Sequence, residues 1–234
     1  MILDVKTRYN DAVNDIADVC IIGSGAGGSA VAHELTHQGK IVIILEAGNY
    51  YDADYVNQQN REDELLNLWK HHGIFLSSNF SVNVAQGQCV GGSTMINYGI
   101  CFRFPDLVRN IWRDKHGIQL TDEQIDDAYT KAESQYGVTR IQQDGRSHEV
   151  IKEGCDRLGY SSDWMQKALR GDMKQNALIA YLEKSKIENL YIYANCKAVS
   201  VEKSGNTITA IHAIATDPCT KLIHNVKITA EKVV

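Results

Sequence analysis

The sequence feature that most constrains the fold is a glycine-rich loop, GSGAGG at residues 23–28, near the start of the chain. It follows a short apolar run at 18–22 that is rich in β-branched residues, which is typical of a buried strand. An apolar-periodic helical segment at 26–38 comes next, and the run IVIIL at 41–45 has the composition of a buried parallel strand. This strand–loop–helix–strand order predicts a βαβ unit, and with it an α/β fold built on a parallel sheet.

The glycine spacing fits GxGxxG, the loop that holds the pyrophosphate of a dinucleotide. In such a loop Gly23 makes the tight turn, Gly25 lets the phosphates approach the backbone, and Gly28 lets the helix pack against the strand. Free N–H groups and the dipole at the helix N-terminus favour an anion there. We therefore expect Ser24 and Ala26 to line the phosphate site together with these glycines.

An acidic residue follows the second predicted strand, where a dinucleotide fold needs one. Glu46 stands at the end of that strand and Ala47 comes directly after it. A carboxylate in this place accepts hydrogen bonds from the adenosine ribose, and its charge would repel a 2′-phosphate. We expect Glu46 and Ala47 to contact the adenosine half of the dinucleotide.

Two later features favour FAD over NAD. A second glycine-rich loop, GQCVGGSTMIN, spans residues 87–97, and the last part of the chain predicts a small antiparallel β-meander, where an NAD domain would add further βα units. The meander strands are expected at 190–193, 198–203, 207–216 and 221–230, and another strand of the parallel sheet is expected to begin at 232–234. Helices are expected at 60–72, 121–135, 147–159 and 175–185, and Thr121 with Gln124 predicts a capping box at the start of the second.

At these residues the chain resembles the glucose–methanol–choline (GMC) oxidoreductases. The stretch GQCVGGSTMINYGICFRFP at 87–105 is similar to the family's first signature, and VCIIGSGAGGSAVAHELTHQGKIVIILEAG at 19–48 is equally typical. Trp112 and Gly117 resemble a later WxxxxG stretch of the family. The resemblance implies further FAD contacts in the second loop and the meander, at Gly91, Gly92, Ser93, Asn97, Gly99 and Ala198.

The resemblance also implies an architecture and a reaction. It implies a Rossmann-like FAD-binding domain at 14–234, incomplete at its C-terminus, with helical insertions at about 50–80 and 118–186. The implied reaction is oxidation of the CH–OH group of an alcohol or a sugar, with hydride passing to flavin N5 while a histidine takes the hydroxyl proton. The family carries that histidine in a C-terminal part, so we assign no catalytic residue and expect a truncated chain or a second polypeptide.

The same residues allow three other interpretations of the function. The chain could be an FAD-binding remnant without turnover, or, more remotely, an NAD-dependent dehydrogenase. A zinc peptidase comes last.

Three positions depart from the family pattern. Gln88 stands where a basic residue or asparagine is usual, and Cys101 where an aromatic residue is common. Asn97 occupies a position that covalently flavinylated relatives give to histidine, so the resemblance implies that FAD is bound non-covalently.

The sequence HELTH at 33–37 fits HExxH, the zinc-protease motif, on a predicted helix. Ala32 and Leu35 should pack on the sheet, which leaves His33 and His37 nearly opposite, toward solvent. A catalytic zinc needs a third ligand and a shielded cleft. We interpret the motif as accidental and expect no metal site.

Composition excludes several other classes. A formal net charge of −5 leaves no basic surface for nucleic acid, and no apolar run has the length of a signal peptide or a transmembrane helix. We therefore expect a cytoplasmic protein without a membrane span, acting on a small molecule. The six cysteines form no CxxC pair, which indicates reduced, mostly buried thiols rather than a disulfide framework.

Overall fold

The computed structural model describes residues 2–3, 13–52, 55–56, 60–141 and 145–234. The chain divides into two compact units. The first comprises Met1–Asn97 with Asn176–Val234, and the second is Tyr98–Gln175. Both glycine loops lie in the first unit, whereas most of the segment expected as an insertion at 118–186 belongs to the second.

Strands and helices alternate in the first half of the described chain, and strands dominate its end. In chain order the strands are β1 (Ile2–Leu3), β2 (Val13–Ile22), β3 (Val42–Leu45), β4 (Val138–Arg140), β5 (Gln166–Arg170), β6 (Met173–Lys174), β7 (Leu190–Tyr193), β8 (Cys196–Ser204), β9 (Thr207–Thr216) and β10 (Ile223–Val233). The α-helices are α1 (Ala26–His37), α2 (Arg61–Asn67), α3 (Asp106–His116), α4 (Asp122–Tyr136), α5 (Arg146–Leu158) and α6 (Ala177–Ala180).

The described residues of the first unit form a mixed sheet of seven strands, in the order β1-β7-β3-β2-β10-β9-β8. The pairs from β1 through β7, β3 and β2 to β10 are parallel, and β10–β9 and β9–β8 are antiparallel. The predicted α/β class, a parallel sheet joined to an antiparallel meander, is confirmed.

Both faces of the parallel sheet are covered, as the composition of β3 shows. Val42 and Ile44 belong to an apolar cluster with Ala32 of α1, whereas Ile43 and Leu45 belong to a second cluster with residues of β9 and β10. Because successive side chains of a strand point to opposite faces, burial on both sides requires a continuous apolar run. This double burial fixes the position of the loop that follows β2 and of the residues that follow β3.

The assignment of 190–193 to the meander was wrong. β7 pairs in parallel with β3, with Leu190 opposite Val42 and Tyr193 opposite Leu45. Its side chains are buried on both faces, which suits the interior of a parallel sheet. The chain turns at Asn195, whose φ is +54°, and continues into β8, which lies at the opposite end of the same sheet and does not pair with β7.

The expectation of a new strand beginning at residues 232–234 was also wrong. β10 is one continuous strand that pairs antiparallel with β9 over Ile223–Thr229 and parallel with β2 between Val226 and Val233. Lys232 lies opposite Val19, Val233 lies opposite Cys20, and the Ile22 N–H donates to the Val234 carbonyl. At Val19 and Cys20, β2 therefore pairs with β3 on one side and with β10 on the other.

Two predicted helices are shorter than expected. The segment at 60–72 forms α2 and then a separate 3-10 turn at Lys70–Gly73, because the backbone at Leu68 and Lys70 bonds with Gln88 and Gln86 instead of continuing the helix. The segment at 175–185 forms only α6 and a 3-10 turn at 182–184. Within the described ranges, no helix has both the length and the apolar composition that crossing a bilayer requires.

The second unit contains α3, α4 and α5 with the small antiparallel sheet β4-β5-β6. The capping box of Thr121 and Gln124 at the start of α4 is confirmed. The buried Arg109 of α3 donates to Asp126 of α4 over 2.7 Å, and this guanidinium lowers the pKa of Asp126. The helix expected at 147–159 is α5, which ends at Gly159 in the left-handed region.

Candidate functional site

The first glycine loop connects β2 to α1 with no room for side chains at its last glycine. Gly23 has a φ of +97°, and its N–H donates to the Leu45 carbonyl at the end of β3. A Cβ at Gly28 would lie 2.1 Å from the Gly23 carbonyl oxygen, so only glycine lets the helix pack this closely against the turn. At Gly25, by contrast, a Cβ would meet nothing within 4 Å. The space above Gly25 is open to a ligand.

The N-terminus of α1 begins at the first glycine loop. Gly25 is its N-cap, no side chain caps it, and its first turn contains no acidic residue. The first N–H groups of a helix have no partner within the helix and form the positive end of its dipole. Ala26 and Gly27 are exposed at this end. The arrangement suits a bound phosphate.

Glu46 is a buried carboxylate, only 7% exposed, directly after β3. Its Oε2 accepts from the Ser24 N–H at 2.9 Å and from the Ser24 hydroxyl at 2.6 Å, and its Oε1 accepts from the Gly48 N–H at 2.8 Å. A carboxylate offers about four acceptor positions. One position is therefore left for a donor from outside the protein. Ala47 beside it is exposed.

Ser24 has a larger role than the sequence indicated. It is fully buried, its hydroxyl also accepts from the Gly91 N–H at 3.1 Å, and its carbonyl accepts from the Ser29 hydroxyl at 2.6 Å. Sequence reasoning placed Ser24 beside the phosphates but missed this link to the second glycine loop. The only available signal was a hydroxyl-bearing residue between two glycines of the motif.

The second glycine loop packs directly on the first. Gly91 and Gly92 have φ values of +97° and +57°, and a Cβ at Gly92 would lie 2.8 Å from the Gly25 Cα. A Cβ at Gly48 would lie 2.1 Å from the Gln88 carbonyl oxygen, so the turn after β3 is equally close to this loop. The structure thus brings together three segments far apart in sequence.

The remaining expected contacts are more scattered. Ser93 and Asn97 are exposed on the turn after Gly92, where the Asn97 N–H donates to the Ser93 carbonyl at 3.1 Å. Gly99 is buried in the second unit, and its carbonyl accepts from the Ala168 N–H. Ala198 is half-buried on β8, in register with Ala213.

The HExxH residues differ in part from expectation. His37 is exposed as predicted, but His33 is half-buried, with its Nδ1 at 3.2 Å from the Tyr181 carbonyl oxygen. Burial, and then the neighbouring His37, lower the pKa of His33. The sequence did not show that the segment after α6 covers this side of α1.

The described cysteines do not form a reactive cluster. Cys20, Cys89 and Cys196 are buried, whereas Cys219 is exposed. Burial raises the pKa of Cys20 and of Cys196 to about 12, which keeps both thiols protonated and inert.

Residues 21–234 match a family model described as GMC oxidoreductase. The long-chain-alcohol oxidase FAO4B of Arabidopsis thaliana is 32% identical over 145 residues, which cover 61% of this chain and 19% of that protein. A cholesterol oxidase of Mycobacterium tuberculosis (strain CDC 1551 / Oshkosh) is 29% identical over 155 residues, covering 63% of this chain and 26% of that protein.

Solved structures share the fold at low sequence identity. Pyridoxine 4-oxidase from Mesorbium loti matches with a TM-score of 0.70 at 14% identity, covering 92% of this chain and 48% of that one. Formate oxidase from Aspergillus oryzae RIB40, a protein studied for FAD modification, matches with a TM-score of 0.68 at 13% identity, covering 97% and 46%. The chain thus spans about a fifth to a quarter of these curated relatives and about half of these solved chains.

Proposed function

Because the chain belongs to the GMC oxidoreductase family, we propose that it forms the FAD-binding part of a flavin-dependent oxidoreductase acting on the CH–OH group of alcohols. One observation carries the proposal, which is the direct contact between the two glycine loops. Gly92 packs against Gly25, and the Gly91 N–H donates to the Ser24 hydroxyl. A nucleotide-binding turn alone would suit many dinucleotides, whereas the second loop seated on it is the part that favours FAD.

The pyrophosphate of FAD is proposed to lie at the N-terminus of α1, over Gly25. Open space above Gly25 and the lack of a side-chain cap leave the N–H groups of the first turn accessible to an anion. The exposed Ala26 belongs to this turn. Close packing of Gly28 against the turn at Gly23 holds the N-terminus of α1 in position, so that it stays directed at the proposed pyrophosphate site.

The adenosine ribose is proposed to donate to Glu46. Three protein donors already hold the carboxylate in one orientation, two from Ser24 and one from Gly48. Hydrogen bonds to charged groups are stronger than neutral ones, and a pre-oriented acceptor loses less entropy when a ligand binds. The same charge would repel a 2′-phosphate, which favours a dinucleotide without one.

The flavin side of the site is proposed to lie along the second loop. Ser93 and Asn97 are exposed on the turn after Gly92, where a ligand can reach them. Gly99 and Ala198 are proposed as contacts on the strength of the family resemblance alone. Residue 97 is an asparagine and has no imidazole nitrogen that could form a covalent link to the flavin. We therefore propose that FAD is held non-covalently.

The proposed substrate class rests on the names of similar proteins and not on a pocket of this chain. Similar proteins are named long-chain-alcohol oxidase and cholesterol oxidase, and both names refer to molecules with a CH–OH group. FAD, when bound, supplies a flavin ring that accepts a hydride. The proposed part of this chain in the reaction is to hold and orient the cofactor, and no histidine here is assigned as the proton acceptor.

Titration of the purified chain with FAD tests the proposal, with flavin fluorescence as the signal. We expect one FAD site and weaker binding of FMN, which lacks the adenosine half. NAD⁺ is the informative competitor, because it shares the ADP group. Displacement of FAD by equimolar NAD⁺, or no FAD binding at all, would show that the second loop does not select the flavin.

A further inference from the structure

Helix α1 brings two histidines together at its C-terminal end. His33 and His37 are one helical turn apart and therefore share a face. Their ring centroids lie 4.3 Å apart with the planes inclined by 50°. This pair belongs to neither glycine loop, and the proposed FAD site does not use it.

Both rings are held through the same nitrogen. The Nδ1 of His33 lies 3.2 Å from the Tyr181 carbonyl oxygen, and the Nδ1 of His37 lies 2.8 Å from the His33 carbonyl oxygen. A carbonyl oxygen only accepts hydrogen bonds, so each Nδ1 carries the proton, and the lone pair of the neutral ring is on Nε2. Nearly every metal-binding histidine donates its other ring N–H to a carbonyl, a carboxylate or a water in this way.

The two rings are also close enough for one ion. A transition-metal ion lies about 2.0–2.1 Å from each coordinating imidazole nitrogen, so rings that share an ion have centroids about 4–5 Å apart. His37 is the last residue of α1, and the dipole at a helix C-terminus favours a positive charge. Of the charged groups that act on His33, Glu34 favours a cation and Lys184 opposes it.

In contrast to the expectation of no metal site at this motif, we infer that the Nε2 atoms of His33 and His37 form a two-ligand site for a first-row transition-metal ion such as Cu²⁺, Ni²⁺ or Zn²⁺. Imidazole pairs suit these ions and not Mg²⁺ or Ca²⁺, which take oxygen ligands. Within the described part of the chain no group of three potential ligands forms. Water completes the coordination, and the ion exchanges readily, which separates this site from a catalytic zinc centre.

Calorimetric titration of chelator-free protein without a histidine tag tests the inference, with NiCl₂ as the probe. The wild-type chain should show one Ni²⁺ site and no heat with MgCl₂. His37→Ala removes one ligand from an exposed position without touching the core. It should lower the Ni²⁺ affinity at least about tenfold, because losing only the hydrogen-bond partner of a metal ligand already lowers metal affinity that much. His116→Ala is the matched control, because His116 is exposed in the last turn of α3 without a histidine one turn away.

A second measurement identifies the ligands directly. The electron paramagnetic resonance spectrum of the Cu²⁺-loaded chain should show two coordinated nitrogens in the wild type and one in His37→Ala. Equal Ni²⁺ affinity in wild type and His37→Ala, or loss of the site in His116→Ala, would overturn the inference. FAD plays no part in either measurement, so the outcome is independent of the proposed function.

Discussion

The Ser24 hydroxyl donates a 2.6 Å hydrogen bond to Glu46 Oε2 and accepts a 3.1 Å hydrogen bond from the Gly91 N–H. A serine hydroxyl has one donor and two acceptor positions, so both bonds form at once. Ser24 therefore joins the first glycine loop, the residue after β3 and the second glycine loop through one oxygen atom.

Ser24→Ala should weaken both the fold and the cofactor site. It removes one of the three donors to Glu46 and leaves the buried Gly91 N–H without its partner, which typically costs about 1–3 kcal/mol. Denaturant unfolding of the FAD-free chain should show this loss, and FAD titration should show weaker binding. Ser200→Ala, at an exposed position on β8, is the control. Unchanged stability in Ser24→Ala would mean that the link is dispensable.

Glu46→Ala should weaken FAD binding by about 1.5–3 kcal/mol, the range for hydrogen bonds to a charged group. FMN lacks the adenosine ribose, so its affinity should change far less. Parallel titrations of FAD and FMN therefore separate a ribose contact from general damage to the fold. Glu62→Ala, on the exposed surface of α2, serves as the matched control. Equal losses for both flavins would show that Glu46 acts only through stability.

Gly92→Ala should disrupt the contact between the two loops. Gly92 and Gly117 both have positive φ, +57° and +64°, so alanine at either position is strained by about 1–2 kcal/mol. Only at Gly92 would the added Cβ also lie 2.8 Å from the Gly25 Cα. We expect Gly117→Ala to lower stability while leaving FAD affinity intact, and Gly92→Ala to lower both. FAD affinity retained in Gly92→Ala would argue against the two-loop site.

Acid precipitation should release FAD into the supernatant. Asn97 has no ring nitrogen that could bond to the flavin, so the cofactor is expected to leave when the fold is lost. Flavin absorbance of the supernatant and of the washed pellet measures the partition. A yellow pellet would show a covalent link, and peptide mapping would then identify the attachment residue.

The chain loaded with FAD should not oxidise alcohols at ordinary enzyme rates. The 145 residues that match the long-chain-alcohol oxidase cover only 19% of that protein. The family resemblance implies that the proton-accepting histidine lies in a later part. Loss of general-base catalysis alone is typically worth about 10²–10⁴-fold. Turnover of a panel of primary alcohols and sterols, measured with an artificial electron acceptor, tests this prediction. A parallel assay adds a polypeptide that corresponds to the C-terminal part of a family member. Full turnover by the chain alone would require one of its own histidines as the base.

Local sequence signals predicted several elements of the fold. The βαβ unit around Gly23–Gly28 and the capping box at Thr121 were readable because each depends on residues within a few positions of one another. The same holds for the place of Glu46 at the end of β3.

Features that depend on distant partners were not predictable in this way. The parallel position of β7 is set by pairing with β3, and the early end of α2 by backbone bonds from Leu68 to Gln88. The contact of His33 with Tyr181 joins residues more than a hundred positions apart. Periodicity describes which face of an element is apolar, but not which neighbour covers it.

The position of β10 between β2 and β9 has a consequence for the order of folding. β2 is synthesised long before β10, yet one of its two edges pairs with β10, since Val13 pairs with Val226 and Cys20 with Val233. Until those residues emerge, β2 presents an apolar strand with free backbone groups, the kind of surface that binds chaperones or aggregates. Long-range parallel pairing of this kind also slows folding. We expect the nucleotide loop after β2 to reach its final shape only after the last strand of the sheet has been synthesised.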